Sequence, residues 1–202
     1  MTRTFQLSGN HISLDFVNTV DDRETAAPKE GLQSYEDLVA WGEQTQSITA
    51  EEARQLLEMG ERRPGEASEV LREAVMVREA LFRIFMCVVN EDIPLDDDLW
   101  SFNGVLSQVM SKARIVRREA SFSWDWQGSE REMGSVMWPV VRASADLLTS
   151  EHLEDVSMCA ANDCRWFFLD TSKNHSRRWC DMKTCGNRAK VNRHNKRRKQ
   201  VG

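Results

Sequence analysis

The sequence predicts a mainly α protein: a multihelical N-terminal domain with one small β-hairpin, followed by a compact C-terminal module held together by cysteines. Three observations carry this. Apolar residues recur at helical spacing in successive stretches up to about residue 149. The period shortens to two only around residues 114–126. Four of the 5 cysteines crowd into residues 159–185, where the chain also turns basic. A chain of 202 residues can hold one medium domain and a small appended one. The expected division is 1–155, a body able to fold alone, and 156–202.

The first forty residues mix signals, but Leu14 and Val17 favour a helix over residues 11–20. Pro28 and Gly31 mark residues 25–32 as a connecting loop. Ser34 with Asp37, and Thr49 with Glu52, are capping pairs that open two helices. The first should bury Leu38 and Trp41. The second should run through Met59 and present Leu56 and Leu57, until Pro64 and Gly65 stop it. Residues 66–90 carry a wide apolar stripe and form the spine of the core. Cys87, beside Ile84 and Val88, reads as a small buried hydrophobe, neither a redox residue nor a metal ligand. Residues 96–110 form another helix, begun by Asp96, Asp97 and Asp98, where negative charge suits a helix start.

Residues 114–117 and 122–126 then read as a hairpin whose Phe122, Trp124 and Trp126 share one face, expected to pack on the helices. Residues 130–149 return to helical spacing, with Pro139 kinking the helix or setting its start. A short strand at 156–158 leads directly into Cys159, so the module should sit close to the body.

Cys159-x4-Cys164 and Cys180-x4-Cys185 are two thiolate pairs separated by fifteen residues. Four soft sulfurs can close a tetrahedron around one zinc ion, the single structural cofactor expected here. The opening residues MTRTFQLSGNH lack the apolar run of a signal peptide, so a reducing, cytoplasmic setting is expected and disulfides are not. After Cys164 an aromatic strand, a polar turn and a returning strand at 177–179 lead back to Cys180, and a helix begins at Gly186. Knuckle, hairpin, helix is a treble-clef-like order. So short a unit cannot build a core of its own, and metal must hold it. Trp166, Phe168 and Trp179 are expected to pack beside the metal more than to stack on bases.

Charge divides the chain in the same place. Of 27 Lys+Arg and 32 Asp+Glu, residues 159–202 hold 12 and 3, leaving 15 and 29 for the rest. A basic end attracts polyanions, although a tail folded back on the acidic body would show the same numbers. Arg177 and Arg178 lie on the returning strand; Arg188, Lys190, Arg193, Lys196 and Arg197 decorate the helix and its end. These seven are the candidate nucleic-acid contacts. With only Ala189 and Val191 as anchors, that helix suits phosphate better than a protein core. The densest apolar stretch, 81–89, is interrupted by Arg83, so no membrane-spanning helix and no membrane partner are expected.

Trp179 to Arg193, with Cys180, Cys185, Gly186, Asn187 and Arg188 in register, resembles the CGNR zinc finger. The run Leu14-Asp15-Phe16-Val17-Asn18-Thr19 resembles the opening of the ABATE domain that accompanies it. The resemblance implies a helical N-terminal domain and a bacterial, stress-induced transcription regulator. The expected function is DNA binding by the finger and basic helix, with the body sensing a signal or dimerising. DNA, a second copy of the chain and a small-molecule effector are the expected partners. Asp15 and Asn18 are candidate sensing residues, although capping or core hydrogen bonding explains them as well. An RNA-binding or protein-docking finger is the alternative, since phosphates alone do not separate DNA from RNA. No enzyme activity is expected; a nuclease would need His175 and His194 as base and metal ligand, with only Asp170 near.

Overall fold

The computed structural model describes residues 3–161 and 163–191. Helix α1 (Ile12–Val17) starts where the His11 ring accepts the Ser13 N–H. It is shorter than its sequence suggests. The chain leaves the helix at Asn18, and β1 (Val20–Asp21), at the end of the expected helix, pairs antiparallel with β2 (Lys29–Glu30) inside the stretch 25–32 expected to be plain loop. Gly31 closes this turn by donating to the Thr19 carbonyl at 2.8 Å. A side chain there would put Cβ 2.2 Å from that carbonyl oxygen, so only glycine fits.

Both capping boxes form as the sequence predicts. Ser34 and Asp37 cap α2 (Tyr35–Gln44), and Thr49 and Glu52 cap α3 (Ala50–Arg62). Leu38, Trp41 and Leu56 are buried, and Leu57 is half-buried. The helix before Pro64 ends at Arg62, as expected, and α4 (Pro64–Asn90) begins on the proline itself, two residues earlier than the apolar stripe suggested. A proline in the first turn lacks only an N–H that the helix could not have used. Ala74, Val77, Leu81, Ile84 and Phe85 form the buried stripe of α4, the spine of the core. Cys87 is a half-buried free thiol. In α5 (Asp96–Met110), Asp98 does more than favour the helix start: it is buried and accepts the Arg83 guanidinium at 2.8 and 2.6 Å.

Strands β3 (Ala113–Arg118) and β4 (Ser121–Trp126) form the expected hairpin, with Ile115 opposite Trp124. Its aromatic face packs most fully on the helices at the base, where the Trp126 and Trp138 ring centroids are 5.8 Å apart. Further out, Trp124 is covered on one side by the Arg142 guanidinium, and Phe122 is 74% exposed. Two 3-10 turns, Ser129–Arg131 and Met133–Met137, precede α6 (Trp138–Leu148), and Pro139 sets the start of that helix.

One buried charge organises the N-terminal hairpin. Arg78 of α4 is 2% exposed and grips Glu30 of β2 with two bonds of 2.6 and 2.7 Å, while also meeting Thr19 and Glu79. Arg23 completes the network by binding Glu79 at 2.7 Å and lying 4.1 Å over the Phe82 ring. Each charge of this network therefore has a partner, as desolvation requires. Among the described residues no helix is long and apolar enough to cross a membrane.

Strand β5 (Val156–Met158) pairs antiparallel with β6 (Phe167–Leu169), not β6 with residues 177–179 as the sequence suggested. Residues 177–179 cannot continue that sheet: the Arg177 N–H goes to the Asp170 carboxylate at 2.8 Å. Only the Arg178 carbonyl reaches the first knuckle, at Ala160 N. Alternation along β6 then divides its side chains. Phe167 enters the helical core, tilted against Phe82 and Phe85, while Phe168 joins the cysteine cluster. Val156 of β5 and Phe167 of β6 thus pack into the helical core, while Phe168 packs with the cysteines.

Candidate metal centre and nucleic-acid interface

Two turns bring the four cysteines together. Cys159 leaves β5 and donates its N–H to Trp166 O, and Cys164 closes a tight turn onto Ala161 O. On the other side the Asp181 carboxylate accepts the Lys183 and Thr184 N–H groups at 2.6 and 2.8 Å. This opens a π-helical turn, Met182–Gly186, that carries Cys185 inward; residues 187–191 continue as helix. All four sulfurs are buried and lie within 4.8 Å of one another, with Cys164–Cys180 at 3.7 Å and Cys180–Cys185 at 3.6 Å.

Those separations test what the cluster can hold. A tetrahedral site with Zn–S bonds of about 2.3 Å has S···S edges of about 3.8 Å, whereas a disulfide needs about 2.05 Å. The cysteines are all free. Left to share protons, the thiols compete: hydrogen bonds from Cys164 and Cys180 pull the Cys159 thiol well below its usual range, and the same bonding pushes Cys164 and Cys180 up. One divalent cation resolves that competition by stabilising all four thiolates. An all-sulfur tetrahedron suits zinc, so Cys159, Cys164, Cys180 and Cys185 would hold one structural zinc ion.

Trp166 and Phe168 pack against the cluster and are buried, with Trp179 half-buried beside them. Trp166 also donates its indole N–H to Val20 O at 2.9 Å. Neither Trp166 nor Phe168 offers a free ring for base stacking.

The basic residues proposed from sequence separate into different environments. Arg177 is turned inward: it donates to Trp179 O at 3.0 Å, Ser8 O at 2.8 Å and Cys180 O, and lies 4.2 Å over the Phe168 ring. Expected as a phosphate contact, its guanidinium is here engaged with three half-buried backbone carbonyls, an arrangement that braces the finger. Arg188 bonds the Cys185 sulfur at 3.2 Å and Asp163 at 3.0 Å. Arg178 and Lys190 are exposed. Lys183, which sequence reasoning passed over, is exposed as well, and its place inside the Cys180-x4-Cys185 loop was the available signal. Arg193, Lys196 and Arg197, and with them His194, lie outside the described residues. His175 sits in the turn after β6 with its Nδ1 3.0 Å from Asp155 Oδ1, and His152 meets the other oxygen of the same carboxylate at 3.2 Å.

The finger is seated on residues 8–20 of the body. Asn18 is buried, and its side-chain amide both accepts from Phe167 N and donates to Phe167 O, each at 2.8 Å. Gly9 O accepts the Leu169 N–H at 2.8 Å, alongside the Trp166 and Arg177 bonds. Asp15 fixes this seat by accepting the Ser8 and Gly9 N–H groups at 2.8 Å, and burial raises its carboxyl above the usual range despite those bonds. Both residues thus carry the finger's support.

These features define a protein with a four-cysteine zinc finger docked on a helical body. Residues 10–151 match the family model ABATE, described as "Putative stress-induced transcription regulator", and residues 156–198 match the CGNR zinc finger. The chain belongs to the ABATE family, and its two matched segments point to a regulatory role. No curated protein matches the chain.

Proposed function

We propose that the protein is a DNA-binding transcription regulator whose zinc-held end meets phosphates and whose helical body carries the control. The observation that supports this most is the finger's outward charge: Arg178, Lys183 and Lys190 are exposed on a metal-stapled unit. The basic run through Arg193, Lys196 and Arg197 follows in sequence. Such a surface attracts a polyanion and the acidic body does not.

A single finger buries little surface on DNA, so sequence-specific binding calls for a second copy of the chain. The seat on residues 8–20 gives the body a direct mechanical hold on the finger, through which an effector of the body would act. The protein works by binding and carries no catalytic step, in a cytoplasm that keeps its thiols reduced.

Crosslinking of the tagged protein to nucleic acid in cells, followed by sequencing, tests this reading. Discrete enriched promoter segments are expected. A signal dominated by RNA would replace DNA with RNA as the partner, and recovery of neither would favour protein docking.

A further inference from the structure

We infer that Arg188 forms a phosphate subsite whose resting occupant is the Asp163 carboxylate, with Cys185 anchoring the arginine in place. The inference rests on the nucleic-acid reading above and names how one contact of that surface is regulated.

The two ends of the guanidinium meet different partners. Nη2 lies 3.2 Å from the buried Cys185 sulfur, and Nη1 lies 3.0 Å from Asp163 Oδ2. Asp163 immediately precedes Cys164, so Arg188 ties the two cysteine knuckles together. With zinc bound, the four thiolates leave the cluster negative, and a guanidinium donating to one of them offsets part of that charge. The inner end is therefore fixed by the metal centre.

The outer end is exchangeable. The Arg188 and Asp163 side chains are 44% and 46% exposed, and ion pairs so exposed contribute about 0–1 kcal/mol. A guanidinium recognises carboxylate and phosphate oxygens with the same donors. The guanidinium already holds one anion at this end, and a phosphodiester takes that place while the exposed Asp163 carboxylate turns to solvent. Arg188 has donors enough to keep Cys185 while it exchanges Asp163 for phosphate.

The test uses the full-length, zinc-loaded protein and a random-sequence DNA duplex. Asp163→Asn removes the resting occupant and should tighten binding about two- to fivefold, the equilibrium equivalent of a weak surface pair. Glu69→Gln is the charge control: it removes one exposed acid that pairs with Arg72 on α4 of the body, away from the finger, and should change affinity less. The Asp163→Asn gain should vanish in combination with Arg188→Met. If Arg188→Met does not retain zinc, Arg188→Lys takes its place, keeping the charge without the two-ended fork. A gain no larger than that of Glu69→Gln, or one that survives replacement of Arg188, overturns the subsite. Should the wild type bind no duplex even at low salt, the nucleic-acid reading fails by itself. Inorganic pyrophosphate then decides the subsite: the Arg188 Nε–Hε resonance should respond to it, more strongly in Asp163→Asn, and no response overturns the inference.

Discussion

Asn18 completes the hydrogen bonding of Phe167: its side-chain amide takes the place of a neighbouring strand, meeting the N–H and the carbonyl of one residue at 2.8 Å each. A primary amide is the one side-chain group that offers a donor and an acceptor side by side in this way. Replacing it should therefore disturb the finger from a position 149 residues away. Asn18→Ala leaves two buried backbone groups unmet, at a cost of about 1–3 kcal/mol each. Hydrogen exchange at the Phe167 amide should accelerate in step with the lost stability. Unchanged protection there would mean that Asn18 does not hold the finger.

Phe167 lies in the body's core although it belongs to the finger's strand, so the finger should stabilise the body. Phe167→Ala is expected to cost about 3–5 kcal/mol, the range for truncating a buried aromatic. A chain cut after residue 155 loses Phe167 entirely, exposing Phe82 and Phe85. Independent folding of residues 1–155, expected from composition, should accordingly give way to a destabilised fragment. Denaturant titration of the fragment against the full chain decides it, and equal midpoints would restore two separable units.

The sequence made the helices and the metal cluster legible because their signals are local. Capping pairs at Ser34 and Thr49, the stripe of α4 and the paired cysteines each depend on residues a few positions apart. The seat of the finger was not legible. Asp15 and Asn18 showed only as polar residues among apolar neighbours, since Phe167, the partner of Asn18, is remote in the chain. Strand pairing failed for the same reason: a polar turn between residues 169 and 177 suggested a hairpin, while β5 offered β6 a better edge. Arg177 looked like its neighbour Arg178 because charge alone does not reveal direction. The projecting hairpin misled too, because the alternation that marks Phe122 as apolar does not specify whether anything covers it.

Metal removal provides the next check. Chelation, or Cys164→Ser, should strip one zinc per chain and unfold residues 159–191, with partial loosening of the body through β6. Cys87→Ser should leave zinc content unchanged, since Cys87 stands apart from the cluster. Elemental analysis with near-ultraviolet circular dichroism of the tryptophans reports both. A reduced, folded preparation without metal would remove zinc from the fold.

Acid should find the Arg78 network. Burial alone would raise the Glu30 carboxyl, but two bonds and the charge of Arg78 outweigh it and hold the group below its usual 4.5. A carboxyl depressed in the folded state contributes stability that is present above the unfolded value. That contribution is lost as pH falls from 4.5 through the lower folded value. Glu30→Gln should flatten this acid limb. At neutral pH it should cost about 2 kcal/mol, less than the roughly 3–5 of a fully buried pair, because the Glu30 side chain is 36% exposed. Unfolding free energies measured between pH 3 and 7 test the sign, and parallel profiles for variant and wild type would count against it.

The finger's cations should separate in a salt titration of DNA binding. Each phosphate neutralised on duplex DNA steepens log affinity against log salt by about 0.9. Arg178, Lys183 and Lys190 are exposed, so Arg178→Gln, Lys183→Gln and Lys190→Gln should each weaken binding and flatten the slope by up to that amount while leaving the melting temperature in place. Arg177 should behave in the opposite way. Its guanidinium joins Ser8 O of the body to Trp179 O and Cys180 O of the finger, so Arg177→Gln should lower stability and speed zinc loss. Among molecules that remain folded, the salt slope should stay that of the wild type. If Arg177→Gln flattens the slope as Lys190→Gln does, the guanidinium reaches phosphate after all. If none of the three exposed cations moves the slope, the described finger is not the binding surface.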